Sequence, residues 1–134
     1  MIHEELCTYE VCKLAKEKGF PQDECGVNIG YYAWDGCRNI HSLVNSFAWY
    51  DDEYSHNDLY LAPTQSLLQR WLREVKGYYV YPLFDNVQLM WDWVCREKTG
   101  DKWIPLVGLE FHLFPTYELA LEDALKYALD NLVI

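Results

Sequence analysis

The 134-residue chain carries 11 basic and 21 acidic residues, a formal net charge of −10 at pH 7, and is 51% hydrophobic and 16% aromatic. That composition excludes an intrinsically disordered chain, and the sign of the charge works against direct binding to a nucleic-acid backbone. No apolar run approaches the roughly 20 residues of a membrane helix, and the opening MIHEELCTYEVCK lacks a basic segment followed by an apolar one. The expectation is a single globular domain, residues 1–134, in the cytoplasm.

The acidic excess lies mainly before Pro63, with four basic residues against eleven acidic ones; from Pro63 onward the counts are seven and ten. Solubility explains such a surface, and so does a partner with a basic face. Cys7, Cys12, Cys25, Cys37 and Cys95 form an odd, scattered set with no C-x-x-C pair, which reads as free, buried thiols and not as a disulfide framework.

In chain order, Thr8 caps a helix running to Lys18, its apolar stripe made by Val11, Leu14 and Ala15. Gly19 stops it, and Phe20 folds back on the last turn. Val27 to Trp34 reads as a strand, Asp35-Gly36 as a two-residue hairpin turn, and Cys37 to Tyr50 as an interrupted return arm. A polar loop, Asp51 to Asp58, leads through Leu59-Tyr60-Leu61 into the central amphipathic helix. Pro63 suits its first turn, Leu67, Leu68, Trp71, Leu72 and Val75 form its apolar face, and Gln65 lies on the wet side. Gly77 ends that helix, and Tyr78 to Tyr81 begins a strand.

Pro82 to Asn86 reads as a turn region. After it, Val87, Leu89, Trp91, Trp93 and Cys95 alternate along one face of a strand. Glu97 to Lys102 forms a hairpin loop, Trp103 to Leu113 returns antiparallel, and Thr116 caps a last helix packed through Tyr117, Leu121, Ala124, Leu125, Ala128, Leu129 and Leu132. The fold class is α+β: a mostly antiparallel sheet of about five strands with three helices on one face, in the order α–β–β–α–β–β–β–α.

The segments KLAKEKGF, YYAWDG, APTQSLLQRWLREVKGYYV and TYELALEDALKYAL resemble a family of short uncharacterised proteins of bacterial genomes and prophages. The APTQ…WLRE helix and the terminal helix carry the likeness. It implies a mobile-element setting and no reaction, cofactor or functional residue.

Three groups of residues are candidates for chemistry. Asp51, Asp52, Glu53, His56 and Asp58 bring oxygen donors and an imidazole close in sequence, a possible divalent-cation site in which Asp51, Asp52, His56 and Asp58 would be ligands. As a solvated loop, the same carboxylates (Asp51, Asp52, Glu53, Asp58) suit an acidic decoy facing a basic partner. His41 near Cys37, and His112 across from Cys95, are the pairings a thiolate nucleophile would need, without a local nucleophile motif. The aromatic surplus, Trp91 and Trp93 foremost, fills a core or forms a contact surface. No phosphate loop, metalloprotease or finger motif occurs, and no cofactor is implied. The leading expectation is therefore a non-enzymatic protein that binds a partner protein or itself, as in a homodimer. The alternative is a hydrolase or ligand- or metal-binding module assembled from distant residues such as Tyr81, Asp92, Glu110 and His112.

Overall fold

Threonine caps and glycine stops set the helix ends. In the computed structural model, which describes residues 4–22, 29–32, 40–42, 59–106 and 113–134, the Thr8 hydroxyl accepts from the Val11 N–H at the start of α1 (Tyr9–Glu17). At the other end Gly19 turns left-handed, at φ 96°, and the Phe20 N–H donates to the Ala15 carbonyl at 2.9 Å, burying the Phe20 ring. The helix ends as its sequence dictates.

The chain divides into two compact units, Leu6–Pro63 and Met1–Glu5 with Thr64–Ile134. In the first, β1 (Ile29–Tyr32) is the middle strand of an antiparallel sheet, paired with β2 (Ile40–Ser42) on one side and β3 (Leu59–Leu61) on the other. Gly30 is required there: a Cβ would lie 2.9 Å from the Tyr60 carbonyl oxygen and 3.0 Å from Leu59 Cδ1. Against this sheet α1 buries Val11, Cys12 and Ala15, and Tyr9 meets the rings of Tyr31 and Tyr60 edge-on at 6.0 and 5.5 Å. Lys16 Nζ donates to the Leu59 carbonyl at 2.8 Å, tying the helix to β3. The Asp35-Gly36 turn and the return arm beyond Ser42 lie outside the described residues.

In the second unit, Thr64 caps α2 (Gln65–Trp71), which passes directly into a π turn over Leu72–Lys76. Pro63 therefore stands before the cap and not within the first helical turn. The Gly77 N–H reaches back five residues to the Leu72 carbonyl, and Gly77 itself is left-handed at φ 80°. One extra residue in that turn shifts the phase of the apolar stripe. Val75, expected on the packing face, is consequently 64% exposed. Gln65, expected in water, is buried, with its amide donating to the Glu118 carbonyl at 2.9 Å and to Glu122 Oε2 at 2.8 Å on α3.

The sheet of this unit is antiparallel in the order β4 (Tyr78–Asp85), β5 (Met90–Thr99), β6 (Lys102–Pro105). Strand β4 runs through Pro82, where a turn was expected. The register explains the tolerance. Pro82 faces Trp93, and Trp91 exchanges both backbone bonds with Phe114 on the other side of β5. By two-residue alternation the Pro82 nitrogen points to the free edge, where no ladder bond is lost. The neighbouring edge carbonyl of Val80 accepts from Gln69 Nε2 at 2.7 Å.

One face of the sheet, with Val80, Pro82, Trp93 and Cys95, is buried beneath α2 and α3 (Tyr117–Tyr127, followed by a π turn over Ala128–Leu132). The small residues Ala120, Ala124 and Ala128, all fully buried, permit the close approach of α3. The α+β class and antiparallel pairing are as expected, whereas the strands among the described residues number six and form two sheets. The additional strand is β3, whose three residues are too few to show a period.

Candidate functional site

Where the β4–β5 hairpin reverses, the alternation read along Val87, Leu89, Trp91 and Trp93 breaks. The strand starts at Met90, and residues 86–89 form the turn. Asp85 organises it: Oδ1 accepts from the Val87 and Gln88 N–H groups at 2.8 and 3.0 Å, and the Asp85 carbonyl accepts from the Leu89 N–H at 2.8 Å. Closing the loop puts Leu89 in the left-handed region at φ 56°, a position that glycine or asparagine normally occupies. Leu89 is the one non-glycine residue with positive φ among the described residues.

The turn displays apolar side chains outward. Val87 is 91% and Leu89 71% exposed, and Leu83 and Phe84 are exposed at the end of β4. Phe84 leads to Trp91, their ring centroids 5.0 Å apart, and Trp91 meets Tyr117 edge-on at 5.3 Å. Tyr117, expected on the packing face of α3, stands at its first residue, ahead of the buried turns, and is exposed, as is Leu119. Phe84, Trp91 and Tyr117 thus form an aromatic row from the end of β4 to the start of α3, whereas Leu83, paired with Asp92, lies on the other face of the sheet. Contiguous exposed apolar surface is where soluble proteins make contacts.

The sequence reading named Trp91 and missed most of its neighbours. Asp85-Asn86 was the available turn signal, but the alternating run that follows it suggested a longer strand. Trp93, paired with Trp91 in that reading, belongs to the core. It is 6% exposed, its indole N–H donates to Asp123 Oδ2 at 2.9 Å, and its ring packs on Tyr127 at 5.2 Å. Two residues along a strand share a face, but only Trp93 lies deep under α3.

The other candidates separate. Asp51, Asp52, Glu53, His56 and Asp58 lie outside the described residues, as do Cys37, Glu110 and His112. Among the described residues no group of three or more His, Cys, Asp or Glu side chains is placed to hold a metal. Tyr81 and Asp92 share the outer face of the sheet, yet each is engaged structurally. The Tyr81 hydroxyl accepts from Arg96 Nε at 2.9 Å, and Asp92 Oδ1 accepts from the Trp93 N–H at 2.7 Å.

Cys95 is fully buried, and burial, with Glu97 adding to it, pushes its thiol up to about 12. A nucleophilic cysteine requires the opposite shift. Cys7, Cys12 and Cys95 are all buried. No helix of the described residues is long and apolar enough to cross a membrane. Comparison with models of protein families, with curated proteins and with solved structures finds no match to this chain.

Proposed function

We propose that this is a non-enzymatic interaction protein whose contact surface is the apolar tip of the β4–β5 hairpin together with the start of α3. Leu89 carries the reading. A left-handed leucine costs about 1–2 kcal/mol, and 71% of this side chain remains in water, so packing within the chain does not offset the strain. Burial of Leu89 and Val87 against a partner offsets it readily, at roughly 1.5–3 kcal/mol for each side chain fully buried.

The partner is a protein, a second copy of this chain included. A net charge of −10 favours one with a basic face. The resemblance of the α2 and α3 segments to short bacterial and prophage proteins supports a mobile-element setting for this contact. The test compares wild type with Val87→Asp/Leu89→Asp in sedimentation equilibrium and in capture of interacting proteins from the host. Wild type is expected to associate, with itself or with a defined protein, and the variant to lose that association at least tenfold. Equal behaviour of the two proteins in both measurements defeats the reading.

A further inference from the structure

The geometry points to a second site, at the opposite end of the β4–β5 hairpin: the cavity between the π turn of α2 and the β5–β6 turn binds a nucleoside phosphate, with Arg73, Lys76 and Lys98 on the phosphate and Trp103 under the base. The cavity measures about 670 Å³, a size suited to a small organic ligand. In a chain of net charge −10, three of the seven basic residues that follow Ala62 line this one hollow. The Arg73 guanidinium lies over the Tyr79 ring at 5.3 Å, and Lys76 Nζ lies over the Trp71 ring at 5.4 Å. Aromatic faces steady these cations without cancelling their charge.

Among the described residues none of the three forms an ion pair. The one acid in the lining, Glu74, has both carboxylate oxygens on Arg70 Nε at 3.1 Å. Positive charge is therefore left unbalanced where an anion can reach it. Charge alone would suit any anion; the aromatic wall narrows the choice. Trp103 lines the same cavity, half-buried and met edge-on by Tyr79 at 6.0 Å. Gly77 and Gly100 keep two stretches of wall free of side chains, and the Lys98 N–H, bonded to the Gly77 carbonyl at 2.9 Å, ties the π turn to β5. A planar ring joined to a multiply charged anion matches this pairing of stacking platform and cations, and acidic peptides offer the charge without the ring. The inference does not rest on the hairpin-tip contact, which uses other residues.

Titration calorimetry on the full chain at about 50 mM salt tests it, with ADP, inorganic phosphate, a thymidylate hexamer and a hexaglutamate peptide as probes. ADP is expected to bind saturably and more tightly than inorganic phosphate. Binding should weaken about tenfold in Lys76→Gln/Lys98→Gln and weaken further as salt rises. Trp103→Leu should cut the advantage of ADP over phosphate about tenfold, the worth of one stacking contact. Both lysines are exposed, so the double variant keeps its fold, which circular dichroism verifies. A hexamer that binds more tightly than ADP identifies the nucleotide as a unit of a single strand; one that does not identifies a free nucleotide. The proposal is overturned if neither ADP nor hexamer binds at millimolar concentration, if the lysine variant binds as wild type does, or if phosphate or hexaglutamate matches ADP. Val87→Asp/Leu89→Asp should bind ADP unchanged, which keeps failure here distinct from failure of the hairpin-tip contact.

Discussion

At Leu89 the chain holds a conformation its side chain disfavours, and the consequence is measurable. Leu89→Gly removes the clash of Cβ at φ 56° and sacrifices little burial. The variant should be more stable by about 1 kcal/mol, seen as a higher denaturant midpoint at unchanged slope. If the exposed leucine serves contact, the same variant should associate more weakly, stability and binding moving in opposite directions. Cys95 makes a second residue-level test through pH. Burial and Glu97 raise its folded-state pKa from 9.0 to about 12. Between those values the unfolded chain releases a proton that the folded chain keeps, so rising pH favours unfolding. The contribution is whole below about pH 9 and is lost progressively toward pH 12. Thermal unfolding across that range should show a falling melting temperature, and Cys95→Ala, although less stable overall, should show a shallower fall. Burial also raises the hydroxyl pKa of Tyr78 and Tyr117, so the slope should not vanish.

At the level of elements, Gly30 tests whether β1 sits as tightly against β3 as the spacing demands. A Cβ there meets a backbone oxygen at 2.9 Å, and backbone cannot swing aside as a flexible side chain does. Gly30→Ala should cost about 1–3 kcal/mol in chemical denaturation; an unchanged midpoint would mean that β3 yields. How legible each element was depends on how local its determinants are. The caps Thr8 and Thr116 and the stops Gly19 and Gly77 act within one helical turn, and each stands where the sequence put it. Val75 and Gln65 depend on features beyond that reach: a π turn that shifts the stripe, and an amide partnered by α3 more than fifty residues away. Pro82 was read as a turn because its tolerance in β4 comes from being on an edge strand, which only the sheet order reveals. The proposed contact surface was half legible for the same reason. Trp91 stood out by type, but Leu83 and Val87 acquire meaning from where the hairpin reverses, and alternation does not mark that point.

For the whole molecule, net charge sets how the apolar tip can be used. Two copies, each carrying −10, repel one another. At about 0.01 M salt that repulsion acts over about 30 Å, and at 0.15 M over about 8 Å. If the occupant of the tip is a second copy, added salt screens the repulsion and leaves the apolar contact in place, so dimerisation should strengthen from 0.02 to 0.5 M sodium chloride. If the occupant is a basic protein, charge attraction steers the encounter, and the same change should weaken binding, chiefly by slowing association. Sedimentation at the two salt concentrations, together with association rates for any captured partner, separates the cases by the sign of one slope. Val87→Asp/Leu89→Asp should abolish the association in either case, because it removes the apolar contact itself. Association that depends on salt but survives these substitutions would move the contact to the charged surface and away from the hairpin tip.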